Sequence, residues 1–187
     1  IAANAVGGLI GDDGVYRVER GDYDDTNAVL LDYLGTGFYW SLVDSRMSDY
    51  YQHLGLPDQV FSYNIQTLGA SAEMNEVAAV KYYVRLEGEE YTVPCGYEKR
   101  QTLALSNGGA DIWENTLALP LGYAFDGVMR QADYEALPME DKLQAIMRCA
   151  VADGAQDMDA AAFDSEAIDV PFRLSAVEGV EIEPGAI

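Results

Sequence analysis

Histidine is almost absent from this chain. His53 is the single one in 187 residues, and cysteine occurs twice, at Cys95 and Cys149. Any Ser-His-Asp or Cys-His arrangement would have to use His53. Two cysteines make no disulfide framework and their spacing fits no zinc pattern, so one bridge and two free thiols both stay open. Basic residues are scarce as well: eleven Lys and Arg face 32 Asp and Glu, for a net charge of −21. A surface of that sign repels nucleic-acid phosphates, so no nucleic-acid partner is expected, and it gains nothing electrostatically from an anionic bilayer. Its plain reading is a solvated acidic surface. No apolar run approaches the roughly 18 residues that a spanning helix needs, and no signal peptide is visible. Neither a Gly-x-Gly-x-x-Gly fingerprint nor a phosphate loop ending in Gly-Lys-Ser/Thr occurs, so no cofactor is expected.

What is present suits one domain, or one domain with a small appendage. Apolar residues at 49% and charged residues at 23% are ordinary globular usage, enough for a core. Val15-Tyr16-Arg17-Val18-Glu19 alternates and predicts a strand, followed by a loop over 22–27. Asp44 or Ser45 is placed to cap a helix through Leu54, with Met47, Tyr50, Tyr51 and Leu54 on one face and Gly55 then Pro57 to stop it. Ser71 is placed to cap a second helix carrying Met74, Val77 and Ala78. That helix runs into a Tyr- and Val-rich strand over 80–86, which Glu87-Gly88-Glu89-Glu90 turns back into Tyr91-Thr92-Val93.

Ser106-Asn107-Gly108-Gly109 predicts a hairpin between 102–105 and 110–113, and 121–125 reads as one more strand. The clearest helix spans 138–152. Pro138 suits its first turn, Glu140 and Asp141 favour the positive end of the dipole, and Met139, Leu143, Ile146, Met147 and Ala150 form the apolar stripe, with Gly154 as terminator. From Cys149 onward there are nine acidic residues and one basic, Arg173; 153–162 reads as a loop, with strands over 170–174 and 180–182. The expected fold is α+β, a mixed or mostly antiparallel sheet with helices packed on one face, since the hairpins argue against a purely parallel sheet. Residues 1–152 read as one domain. Residues 153–187 read as an acidic loop and terminal strands, either of that domain or opening the next.

Chemistry is thinly signposted. His53 ends a short helix without any nucleophile signature beside it, and the structural reading is preferred. Thirty-two carboxylates invite a soluble glycoside hydrolase using a carboxylate pair, but the sequence selects no pair. Asp22-Tyr23-Asp24 and Asp157-Met158-Asp159 alternate like calcium ligands without the glycine and distal glutamate of an organised loop, so no metal site is assigned. No catalytic residue is assigned either. Aromatics are plentiful, with 13 Tyr and two Trp. Such rings stack on sugars while their polar tips hydrogen-bond, and they also fill cores. Phe38-Tyr39-Trp40-Ser41 is the densest cluster. Tyr39, Trp40 and Trp113 are the candidate glycan-contacting residues, on which an independent carbohydrate-binding module is an alternative reading.

Several segments in order carry a resemblance. Val15-Tyr16-Arg17-Val18-Glu19, the Gly35-Thr36-Gly37-Phe38-Tyr39-Trp40-Ser41 run, Tyr50 to Gly55, Ala79-Val80-Lys81-Tyr82-Tyr83-Val84, the run Trp113 to Asp126 with its Glu114-Asn115 and Ala118-Leu119-Pro120-Leu121-Gly122-Tyr123, and Tyr134 to Met147 together resemble the YfhO family of bacterial membrane proteins over about 15–150. Trp40 stands where the family usually has Ser, and Trp113 where it has Tyr. The resemblance implies that this chain is a soluble, extracytoplasmic piece of a larger multi-spanning protein similar to GT-C-type glycosyltransferases that act on cell-wall polymers. The implied partners are its own membrane-embedded region and a cell-wall glycan or lipid-linked sugar. The acidic catalytic residue of such enzymes lies near the membrane part, so this domain is expected to be accessory and inactive alone.

Overall fold

The computed structural model describes residues 10–20, 28, 33–39, 42–56, 60–61, 64–69, 71–105, 108–125 and 127–153. The expected 22–27 loop, both alternating-acid segments, Trp40, Pro57, Gly154 and every element expected beyond 153 lie outside them. The main sheet has four strands, β1 (Arg17–Arg20), β5 (Val80–Leu86), β6 (Tyr97–Leu105) and β7 (Gly108–Asn115), in the order β1-β5-β7-β6. β1 runs parallel to β5, and β7 runs antiparallel to both its neighbours, β5 and β6. A small antiparallel sheet joins β2 (Phe38–Tyr39), β4 (Asn64–Ile65) and β3 (Val60–Phe61) in that order. A third sheet pairs β8 (Gly127–Arg130) with β9 (Cys149–Ala152) in parallel, and the helices α3 (Gln131–Glu135) and α4 (Met139–Arg148) run between them. The class is α+β with a mixed sheet, as the sequence predicts.

The helix starts follow their caps. α1 (Ser45–His53) opens where the Asp44 carboxylate accepts from Arg46 N at 2.9 Å. α2 (Ala72–Val77) opens on the Ser71 hydroxyl, which accepts from Met74 N at 3.4 Å. Gly55 ends the first helix segment at φ 74°, where any side chain is strained and a Cβ would also stand 3.1 Å from Met139 Sδ. Gly37 matters for space: a Cβ there would sit 3.3 Å from Ile65 O, against the strand that β2 pairs with.

The sheet divides two apolar clusters. Tyr83, Tyr97 and half-buried Trp113 share one face with Tyr51 and Leu54 at the end of α1, Met74 of α2, and Leu143 and Ile146 of α4. Val18, Tyr82 and Ile112 hold the other with Ile10, Tyr16 and Tyr33. A regular strand puts residues two apart on the same face, yet Val80 belongs to the helix-covered cluster and Tyr82 to the other. The register explains this: Arg17 pairs with Val80 and Val18 with Tyr82, so Lys81 is an extra residue on β5. A second slip follows on β6, where Lys99 pairs with Trp113 and Gln101 with Ile112, leaving Arg100 as the extra residue.

Both extra residues are basic, and both meet acids around one phenol. The Tyr82 hydroxyl donates to Asp12 Oδ2 at 2.8 Å and accepts from Arg100 at 2.6 Å. Lys81 Nζ lies 2.6 Å from Asp12, and Arg100 lies 2.9 Å from Glu114. Burial first, and then the neighbouring carboxylates, push the Tyr82 phenol far above its ordinary range.

Three expected elements differ. Tyr91-Thr92-Val93 forms no strand, because β5 already pairs with β1 on one side and β7 on the other; instead the Tyr91 hydroxyl donates to Val84 O at 3.2 Å. Residues 121–125 are bends and irregular chain, since no neighbouring strand offers a ladder and Tyr123 donates to Val77 O at 3.3 Å. The helix expected over 138–152 stops at Arg148, with Pro138 as its N-cap, and the chain turns extended to pair with β8.

Asp12 links pH to stability. The Lys81 ammonium bonded to it lowers its pKa from 3.8 to about 2 against the opposing effect of burial. A carboxyl depressed in the folded state stabilises it above the unfolded pKa, and that contribution fades as pH falls toward the folded value. Urea denaturation midpoints of the parent chain and Asp12→Asn should differ most near pH 5 and converge by about pH 2. A gap that stays constant over that range would refute the linkage.

Candidate functional site

α1, the end of α2, residues 121–125, the α3–α4 pair and β9 enclose a cleft of about 370 Å³. Tyr134 and Cys149 line it from the small buried cluster that they form with Met129 and Ala145. Tyr50 projects from α1 at 43% exposure and Tyr123 from the irregular segment at 37%. Tyr123 and Phe125 meet edge to face, centroids 5.1 Å apart and planes at 83°. Desolvation raises the phenol pKa of Tyr50, Tyr123 and Tyr134, as expected for rings in a largely apolar hollow. A second hollow of about 380 Å³ adjoins the first, sharing Tyr50, Val77 and Tyr123 and reaching Phe38 and Arg17.

The polar groups of the cleft sit together. His53 Nε2 lies 3.8 Å from Glu135 Oε1, and Gln131 donates to that same oxygen at 2.7 Å. His53 therefore lines a cleft as well as ending its helix, where its Nδ1 lies 2.7 Å from Asp49 O. Cys149 is buried, its thiol directed to Ala145 O at 3.2 Å, and burial pushes its pKa up. It is no thiolate nucleophile. Both cysteines are free, Cys95 exposed and Cys149 buried.

Glycoside hydrolysis wants two carboxyls flanking one bond, one of them with a raised pKa. Among its described walls the aromatic cleft has Glu135 alone. A smaller cleft of about 300 Å³ has Glu87 and Asp111. Lys99 and then Thr102 hold the Asp111 pKa down, and Glu87 accepts from Gly109 N at 2.9 Å. Among the described residues, no three His, Cys, Asp or Glu gather as a metal ion would require.

The sequence-derived glycan candidates are spread out. Tyr39 lies on β2 at 51% exposure. Trp113 lies on β7, half-buried against the helix-covered core, with the Arg85 guanidinium 5.5 Å from its ring and its indole N–H lacking a hydrogen-bond partner. Trp40 is outside the described residues. Neither Tyr39 nor Trp113 lines the aromatic cleft. The residues that do, Tyr50, His53, Tyr123 and Glu135, come from three separate segments, with Tyr50 and His53 one turn apart on α1.

A family model described as "Bacterial membrane protein YfhO" matches residues 10–167. The chain belongs to the YfhO family. It is a domain of a bacterial membrane protein, although among the described residues no helix is long and apolar enough to cross a membrane. No curated protein and no solved structure matches it. Family-like segments supply much of the cleft: Tyr50 to Gly55 gives α1's contribution, and the run from Trp113 to Asp126 carries Tyr123 and Phe125.

The two thiols give a direct check on this packing. With a chromogenic disulfide reagent, one equivalent, Cys95, should react at once in the native protein, and Cys149 only after urea is added. Rapid reaction of both in the folded state would contradict a buried Cys149.

Proposed function

We propose that this chain is an extracytoplasmic accessory domain of a multi-spanning bacterial membrane protein of the GT-C glycosyltransferase type, serving cell-wall polymer glycosylation without catalysing it alone. Membership of the YfhO family carries the reading, because it ties a compact domain to a membrane protein. The charge supports the outer face: −21 gives no attraction to the anionic inner leaflet. Its partners on this reading are the membrane-embedded part of the same protein and a cell-wall glycan or lipid-linked sugar.

A carbohydrate-binding role is the second reading, favoured by the half-exposed Tyr50 and Tyr123 in a concave, largely apolar cleft. Tyr39 extends it, one residue from Phe38 in the adjoining hollow; Trp40 and Trp113 are further candidates for glycan contact.

The exposed Cys95 thiol is a ready topology probe. In the full-length protein with every other cysteine replaced, a membrane-impermeant maleimide should label Cys95 in intact cells. Labelling that needs permeabilised cells would place the domain on the cytoplasmic side and defeat the reading.

A further inference from the structure

The polar wall of the aromatic cleft is built of acceptors. His53 Nδ1 faces the Asp49 carbonyl at 2.7 Å, and a carbonyl oxygen only accepts, so Nδ1 carries the proton. In the neutral ring Nε2 is then a bare lone pair, and it faces the Glu135 carboxylate at 3.8 Å. Gln131 donates its amide N–H to that carboxylate at 2.7 Å, which leaves the amide oxygen as an acceptor too. Three acceptors and one negative charge share this wall, and neither Lys nor Arg is among the described residues lining the cleft. Arg17 belongs to the adjoining hollow, where its guanidinium donates to Ala78 O.

The rest of the lining is aromatic. Tyr50 and Tyr123 are half-exposed, and Tyr123 stands perpendicular to Phe125. Ring faces attract ammonium groups. Tyr134 already makes one such contact, with Lys142, itself not a lining residue, placing its Nζ 5.6 Å over the ring.

We propose that this cleft binds the primary ammonium group of a small organic amine, with N–H bonds donated to His53 Nε2, Glu135 and Gln131 and the carbon body laid on Tyr50 and Tyr123. The charge of the chain, −21, adds long-range attraction for such a ligand. An anion finds neither Lys nor Arg among the described residues of the wall. A neutral alcohol satisfies acceptors but leaves Glu135 uncompensated, and a quaternary ammonium meets the rings but donates nothing to the acceptors. Amine binding here does not depend on which side of the membrane the domain faces.

NMR titration of this chain at pH 7.5 and physiological salt tests it with n-butylamine, n-butanol, tetramethylammonium and glucose. Butylamine should shift signals of the cleft residues and bind at least tenfold more tightly than the other three. Glu135→Gln should weaken it at least tenfold and Tyr50→Ala several-fold, both with unchanged circular dichroism. Asp133→Asn, which removes an exposed carboxylate from the same helix, should leave it unchanged. Equal binding of butanol would make the cleft merely apolar, tighter binding of glucose would make it a sugar site, and an equal loss in Asp133→Asn would reduce the effect to bulk charge; each overturns the proposal, as does silence toward butylamine.

Discussion

The Tyr82 hydroxyl donates to Asp12 and accepts from Arg100, and the phasing of the main sheet turns on the two strand slips beside it. β5 is an inner strand with partners on both edges, so its phase sets which side chains face the helices. Without the extra Lys81, Val80 and Tyr82 would share a face. Either Val80 would leave the cluster under α1 and α2, or the Tyr82 ring would enter it. Without the extra Arg100, Tyr97 and Leu103 would lie on one face instead of opposite ones. Inserting a residue costs ladder bonds. Making each insertion basic offsets that cost, because Lys81 and Arg100 reach Asp12 and Glu114 about the phenol in a partly buried setting.

The segment after β7 joins this network to the cleft. Glu114 belongs to the ion pairs at Tyr82, and Asn115 begins the departure from the sheet by accepting from Leu117 N at 2.9 Å. Leu119 N then donates to Glu76 O at 3.1 Å, and the Tyr123 hydroxyl reaches Val77 O. Ten residues thus run from the β7 ladder to the end of α2, and they set the Tyr123 and Phe125 rings against α1 and α3. The run most useful for recognising the family therefore has a mechanical role: it couples sheet and cleft without being a strand at its far end.

Local signals were strong wherever one residue type had one physical use. Ser71 and Asp44 read as caps because their side chains compete for free N–H groups at a helix start, and both cap. The 80–86 run, dense in Val and Tyr, is β5. What failed depended on partners. Tyr91-Thr92-Val93 and 121–125 have strand composition, but a strand exists only where a neighbour has a free edge. The 149–152 stretch continues a helical stripe on paper, and β8 captures it as a ladder instead. The insertions at Lys81 and Arg100 leave no local mark at all, since a bulge is a relation between two strands.

The candidate site was less legible, for a similar reason. Aromatic density along the chain peaks at 38–41, where the rings are adjacent in sequence. Adjacent residues on an extended chain point to opposite sides, and Phe38 packs inward while Tyr39 is half-exposed. A concave ring-lined surface needs rings from different segments. Here Tyr50 comes from a helix face, Tyr123 from a bend and Tyr134 from a five-residue helix. His53 shows the same effect in chemical terms. Its helix-end position was readable and gives it a bond to Asp49 O, but the tautomer which that bond imposes matters only because a separate helix brings Glu135 to the other ring nitrogen. The acceptor character of the cleft is thus a product of tertiary packing, with each contributing residue unremarkable along its own stretch of chain.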